Sequence, residues 1–434
     1  MAMLELDCGQ DFDSSRDEEF FAALPARPGV FLLAMCDPAA APYLARTADI
    51  RRAAERLLRA PETLSKRLNL REVAASIRYR ATGSKFEQSL TLYGQARLHF
   101  PRRYRAVMRM RPPAVVKVNL RNEYPRCYVT RSIRADGGFY FGPFLSRRAA
   151  DAFLEGFLDL FKIRRCQIKI RRDPAFPGCI YSEMKMCLAP CFAGCSNEEY
   201  DAEVSTVVET LDSCGESLSN RIEREREAAS EALDFERAAA LHKRLEKVSA
   251  ALRGMPELAR RVEDLNALIL QRSAEEKTVV AFPILGGILA EPVFLRFAEL
   301  ASEPRSVEAI LRERLEPSMP PKASASKTSD APVTAGGSDS GSSSLISASG
   351  AQASLVERFG LQDAPPDLPE HLSLLARWYY SKPREGEIFF RAADWPYRRI
   401  LRACSRLLLP PGAAPAAGKI PPGSSPETAS GPQA

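Results

Sequence analysis

The sequence predicts an α/β protein built from small units: a small α/β domain, a cysteine-rich metal knuckle, an α-helical hairpin and a small α+β C-terminal segment. Three observations predict it. Short apolar strand runs alternate with helical periodicity over roughly the first 160 residues. Cys166, Cys179, Cys187 and Cys191 follow with the spacing C-x12-C-x7-C-x3-C. Residues 196–252 then carry a helical pattern.

Taken in chain order, Gly29-Val30-Phe31-Leu32-Leu33 is an apolar strand entered through Pro28. Residues 48–58 are helical, with Asp49 near the start and arginines on the exposed face. A second helix at 86–99 is closed by Pro101, which cannot continue it. Strands at 124–131 and 139–141 flank the turn Asp136-Gly137-Gly138. Residues 147–161 form an amphipathic helix with Ala149, Phe153, Phe157 and Leu160 on one side. The stretch 196–252 reads as an antiparallel helix pair broken near Cys214-Gly215. A hairpin at 278–297 turns at Gly286-Gly287. Beyond it, HLSLLARWYYSKP reads as a helix followed by a short strand at 387–390. Residues 317–353 and 410–434 are Ser/Ala/Gly/Pro-rich and are expected to be a disordered linker and tail.

The chain has 434 residues, 45% hydrophobic and 27% charged, enough for two or three cores. No run approaches the ~20 apolar residues of a membrane span, and residues 1–16 lack the basic and apolar blocks of a secretion signal. A cytoplasmic protein is expected, in which ten cysteines serve as thiols or metal ligands rather than disulfides. Three histidines argue against histidine-rich metal chemistry. Net charge is only +6, yet residues 44–172 hold 30 Lys/Arg against 10 Asp/Glu. A basic domain beside an acidic remainder suits phosphate binding, because neutralised phosphates release counterions. An arginine-rich surface from compositional bias gives the same count.

Four thiolates at the cysteine spacing suit one soft centre, a tetrahedral zinc or an iron–sulfur cluster. Pro177-Gly178 and Pro190 supply turns that let several sulfurs face inward, and Cys195 follows four residues later. Buried free cysteines acting as small hydrophobes are the alternative.

At this point the chain resembles the N-terminal half of the UvrC excinuclease family. Pro28-Gly29-Val30-Phe31 and Tyr43-Leu44-Ala45-Arg46 resemble the first two strands of a GIY-YIG nuclease domain. Asn122-Glu123-Tyr124-Pro125, Tyr140-Phe141-Gly142-Pro143-Phe144 and Phe161-Lys162-Ile163-Arg164-Arg165-Cys166 resemble further family stretches in order. Residues 229–239, ASEALDFERAA, resemble the UVR helical hairpin. The expected division is a GIY-YIG-like domain over 20–110, a linker and cysteine region over 111–195 and a UVR hairpin over 196–255. A small α+β segment over 256–316, the linker 317–353, a helical segment over 354–409 and the tail 410–434 complete it.

The resemblance implies an SOS-linked nucleotide excision repair protein that binds damaged duplex DNA with UvrB. It favours a 4Fe-4S cluster on Cys166, Cys179, Cys187 and Cys191, with zinc as the alternative, and gives the hairpin to UvrB docking. There Leu233 and Ala240 lie seven apart, with Ala229, Ala232 and Phe235 completing an apolar stripe beside Glu236 and Arg237. An internal helix–helix contact would produce the same stripe. Arg51, Arg52, Arg102 and Arg103 are the candidate DNA contacts.

Metal-assisted phosphodiester hydrolysis needs a carboxylate for the cation, a base for the water and cationic donors for the developing charge. Against the GIY-YIG pattern, Tyr43 and Arg46 remain, but Phe31 replaces a tyrosine, Ala45 a glycine and Ala53 an arginine, with Arg51, Arg52 and Arg56 nearby. The glutamate position falls on Tyr93, counted from Tyr104, or on Leu92, counted from Pro101. Glu87 lies six residues before Tyr93, on a different helix face. A degenerate nuclease site is expected, with Mg2+ relevant only if it works. The rival readings are a divergent 3′-incising endonuclease recruiting Glu87 or Glu123, and a nucleic-acid-binding protein with no repair role.

Overall fold

The computed structural model describes residues 4–60, 68–134, 136–300, 302, 304–315, 365–392 and 394–409. Mixed α and β elements build three antiparallel sheets, in keeping with the α/β expectation. The first contains β1 (Cys8–Asp11), β2 (Gly29–Met35), β3 (Tyr43–Thr47) and β4 (Ala74–Ala81) in the order β1-β4-β2-β3. Helices α1 (Asp17–Ala23) and α2 (Ile50–Leu58) cover one face, burying Phe20, Phe21, Ile50, Ala54 and Leu57 against Phe31 and Leu33. The expected start of α2 holds, since Asp49 accepts the Arg52 backbone N–H at 2.9 Å. Helix α3 (Lys85–His99), capped by Ser84, and the short α4 (Tyr104–Val107) follow.

The second sheet joins β5 (Ala114–Val118), β6 (Cys127–Thr130), β7 (Phe139–Phe144) and the two-residue β8 (Arg260–Arg261) in the order β6-β5-β7-β8. Helix α5 (Arg147–Leu158) lies over it, and the expected face delivers Phe153 and Phe157 into a chain of ring contacts from Phe144 to Phe161. The short α6 (Ile180–Glu183) sits in the cysteine segment.

The long helical stretch differs from the expectation. It forms α7 (Asn197–Asp212), α8 (Glu216–Glu231) and α9 (Phe235–Leu252), so there are two breaks rather than one. The first is the expected one, where Gly215 takes φ 94° and a Cβ would run into Leu252. The antiparallel hairpin turns at the second, where Leu233 holds φ 56° and Asp234 accepts the Arg237 N–H at 3.0 Å to cap α9. The Leu233 stripe therefore does not run along a single helix.

The third sheet draws on two distant stretches of chain. β9 (Ala267–Arg272), β10 (Thr278–Leu285), β11 (Ile288–Leu289) and β12 (Val293–Arg296) form around the expected Gly286-Gly287 turn, both glycines having positive φ. Helices α10 (Phe297–Leu300) and α11 (Val307–Leu315) follow, then α12 (Leu368–Tyr379). β13 (Glu387–Phe390) falls on its expected residues and pairs antiparallel with β9, in the order β11-β10-β9-β13. A further helix not expected from the sequence, α13 (Tyr397–Leu408), buries Ile400, Ala403 and Cys404 against this sheet. Helix α12 buries Leu372, Leu374, Leu375 and Trp378 in one cluster with Phe86 and Tyr93 of α3. The expected linker 317–353 and tail 410–434 lie outside the described residues.

Candidate nuclease-like and nucleic-acid-binding site

The hairpin of β2 and β3 sets the first part of the candidate site. Phe31 pairs with Ala45 and Leu33 with Tyr43, which leaves the Phe31 and Tyr43 rings 6.0 Å apart. Phe31 is buried at 1% exposure under α1 and α2, so the ring without a hydroxyl is a core residue. Tyr43 lies partly buried beside it. Successive strand residues face opposite sides, and Leu44 accordingly packs with α3 and α12 rather than with Tyr43. Arg46, three residues after Tyr43, is exposed, and burial first and then the charge of Arg46 lower the pKa of Arg377 of α12. Tyr43 and Arg46 therefore occupy opposite faces of β3.

Helix α2 brings no free arginine inward. Ala53 faces the sheet, while Arg51 donates to the Leu24 and Ala22 carbonyls at 2.8 and 3.1 Å. Arg52 is exposed and 3.6 Å from Asp49, and Arg56 is exposed. Arg102 and Arg103 are both exposed just before α4.

The glutamate position has a different chemistry from that of a metal site. Tyr93 of α3 is buried, and its hydroxyl donates to Glu370 Oε2 at 2.5 Å. Tyr104 Oη and Arg105 Nε donate to Oε1 of the same carboxylate at 2.6 and 2.7 Å. Arg97 Nη1 bridges the Tyr93 hydroxyl and Asp367, 3.0 Å from each. Burial works against the Glu370 charge, but hydrogen bonds from Tyr104, Tyr93 and Arg105 outweigh it and hold the carboxyl below its usual range. Tyr93 is pushed up by burial and by the same carboxylate. A carboxylate does reach this position, but it comes from the first turn of α12 and its oxygens are committed. The 277 residues separating Tyr93 from Glu370 explain why sequence reasoning missed it. The available signal was an acidic residue opening an otherwise apolar helix, which also reads as an ordinary helix start.

The two recruited carboxylates of the rival reading differ. Glu87, one turn into α3, is 1% exposed and accepts the Gly83 N–H at 2.8 Å, with Arg80 Nε 3.7 Å away. Burial raises its pKa in spite of those partners. Glu123 is exposed on the loop before β6.

The cysteine segment is folded by a web of backbone and tyrosine contacts. Tyr200 of α7 accepts the Arg164 N–H at 3.0 Å and donates to the Pro125 carbonyl at 2.8 Å, joining two of the family-like stretches. Leu188 N–H bonds the Lys162 carbonyl and Asp173 N–H the Cys191 carbonyl, each at 2.9 Å. Burial first, then the neighbouring Cys166, Cys179 and Cys191, push the Cys187 thiol up to about 11, although the Ala189 N–H 3.3 Å away partly offsets this. The donor set around Cys187 is thus purely thiol, as a soft metal centre prefers. Among the described residues, no group of three or more His, Cys, Asp or Glu side chains converges tightly enough to hold an ion. Closing on a centre would require the sulfurs to draw in. Cys195 instead packs into the main core.

The hairpin tip is apolar and exposed, with Leu233 and Phe235 at 72% and 66% exposure. Glu236, Arg237 and Ala240 are exposed beside them, whereas Ala229 is buried within the hairpin.

Residues 114–210, from β5 through the cysteine segment into α7, match the UvrC/Cho excinuclease middle domain, and the α8–α9 hairpin lies beyond the match. The chain is similar to UvrC-family proteins over about two thirds of its length. It is 27% identical to UvrABC system protein C of Moorella thermoacetica, over 68% of this chain and 48% of that protein. It is 28% identical to the protein of that name from Oleidesulfovibrio alaskensis, over 64% of this chain and 38% of that protein. Over a shorter stretch, 30% of this chain and 21% of the relative, identity reaches 38% with Carboxydothermus hydrogenoformans UvrABC system protein C. The chain spans about half the length of the curated relatives it matches, or less. No solved structure matches it. No described helix is long and apolar enough to cross a membrane.

Glu370→Gln keeps the shape of the clasp and removes its charge. It is expected to lower unfolding stability at pH 7 by about 1–3 kcal/mol in urea titrations. The depressed Glu370 pKa also fixes a sign: its stabilisation is complete above the ordinary carboxylate range and is lost as pH falls through the lower folded value. The variant should lack that acid loss. Both proteins should share the earlier decline from buried His371, whose pKa is pushed down to about 4, so that the unfolded chain takes its proton first.

Proposed function

We propose that this chain is a nucleotide excision repair protein that binds DNA through its basic N-terminal portion and docks a UvrB-like partner through the α8–α9 hairpin. Its GIY-YIG-like domain serves as a scaffold. The observation that carries the scaffold reading is the hydroxyl of Tyr93 locked on Glu370, at one of the two positions (Tyr93 or Leu92) where the family resemblance would put a metal-binding glutamate and where neither residue is a carboxylate. With Phe31 in the core and Arg46 across the strand from Tyr43, the remaining groups do not surround a common point. Recruitment of Glu87 is opposed by its burial and raised pKa, because a metal ligand must be ionised and reachable.

DNA binding is supported by the excess of arginine over 44–172 and by exposed Arg102 and Arg103. Partner docking is supported by the exposed tip. Two large apolar side chains at a helix turn cost solvation when free and regain it in an apolar groove. In this reading Cys166, Cys179, Cys187 and Cys191 hold an iron–sulfur cluster. The cluster, when bound, supplies a rigid cross-link, and the protein contributes thiolates, the Ala189 N–H beside Cys187 and the Tyr200 web.

Two experiments test the reading. Leu233→Ser with Phe235→Ser is expected to weaken capture by UvrB at least about tenfold while leaving the melting temperature nearly unchanged, since both side chains are solvated in the free protein. Unchanged capture would contradict the docking role. Anaerobic purification is expected to yield iron and sulfide with visible absorbance, both lost in Cys187→Ala. Stoichiometric zinc, or no metal, would contradict the cluster.

A further inference from the structure

A cleft of about 410 Å3 opens where the loop before β5, the end of β6, the start of α5 and helix α12 meet. Arg109, Arg111, Arg131 and Arg377 line it together with Ser146 and Ser373, and no acidic side chain does. Among the described residues, none of these four arginines lies within salt-bridge distance of a carboxylate. Two contacts hold Arg377 in place, from Nη1 to the Met108 carbonyl at 3.3 Å and from Nη2 to the Arg109 carbonyl at 3.1 Å. They fix the guanidinium without neutralising it. Burial first, and then the nearby Arg46, lower its pKa. Ser146 caps α5 by accepting the Ala149 N–H at 3.1 Å, so the positive end of this 12-residue helix opens onto the same cleft.

A second cleft of about 470 Å3 adjoins the first and shares Pro112, Arg131 and Ser373 with it. Its walls are mostly apolar, supplied by Met110, Ile133, Pro366 and Pro369. The acid that lines it, Glu370, is already paired with Tyr93, Tyr104 and Arg105. Each volume falls in the range of small-ligand sites. A cationic half suited to bidentate phosphate contacts abuts an apolar half suited to a flat ring.

We infer that these joined clefts bind one nucleotide unit, its phosphate held by Arg109, Arg111, Arg131 and Arg377 and its base lying against Met110 and Ile133. The inference deepens the DNA-binding reading and rests on it for the source of the nucleotide. The unit comes either from a strand, as an unstacked nucleotide, or from the free pool, and the two share the same chemistry at the site.

Calorimetry on the full chain separates these cases, with thymidine 5′-monophosphate, inorganic phosphate and a ten-residue thymidine oligonucleotide as ligands. Arg111→Ala with Arg131→Ala removes two exposed side chains that support no other part of the fold. Arg398→Ala with Arg402→Ala on α13, two exposed arginines away from the clefts, is the charge-matched control. Binding of the mononucleotide is expected to weaken about tenfold or more in the double variant and not in the control. Equal mononucleotide affinity in the double variant and the unaltered chain overturns the inference. So does a mononucleotide bound no more tightly than inorganic phosphate, since the apolar half then contributes nothing. A parallel loss for the oligonucleotide supports a nucleotide held within a strand, and a loss confined to the mononucleotide supports a free one. Duplex binding without mononucleotide binding overturns the cleft and leaves the repair reading intact. The reverse result retains the cleft and removes the repair reading.

Discussion

The Glu370 carboxylate is the contact on which the arrangement of this molecule turns. It takes three hydrogen bonds from Tyr93, Tyr104 and Arg105, and so fastens the first turn of α12 to α3 and α4. A buried carboxylate is costly unless its oxygens are satisfied, and removing one partner exposes that cost. With α12 fastened, Trp378 and Leu375 complete the core around Phe86, and β13 reaches the edge of the third sheet beside β9. The same helix supplies Ser373 and Arg377 to the arginine-lined cleft. One ion-and-phenol cluster thus links the N-terminal domain, the C-terminal sheet and the arginine-lined cleft.

Under the proposed scaffold reading, the clasp also accounts for the side chains at the altered positions. A tyrosine in place of a carboxylate on α3 would bury an unpaired hydroxyl, at a cost of a few kcal/mol, unless an acceptor came from elsewhere. Glu370 is that acceptor. Phe31, in place of a second tyrosine, needs no acceptor and packs under α1 and α2. Each of these two departures from the catalytic pattern is matched by packing that uses the new side chain.

Much of the architecture was legible because its signals are local. Asp49 marks a helix start by its side-chain acceptor, Gly286-Gly287 marks a turn, and the aromatic spacing of α5 marks its buried face. The family-like stretches at 122–125, 140–144 and 161–166 fall inside the middle-domain match over 114–210. What stayed hidden depends on distance along the chain or on alternatives of equal local quality. Leu233 at a positive φ gave no warning that the hairpin turns there, since leucine rarely does so. The pairing of β13 with β9, the Glu370 clasp and the clustering of Arg109 and Arg131 with Arg377 each join residues more than 100 positions apart. No window of sequence contains such a contact.

A nicking assay on supercoiled and lesion-bearing duplex DNA, with Mg2+ and then Mn2+, tests the central claim most directly. The account predicts that purified protein binds the DNA and leaves both strands intact at every metal concentration. Metal-dependent nicking that disappears in Tyr43→Phe would contradict it, by proving that the hairpin still organises a nuclease in spite of the Tyr93–Glu370 clasp.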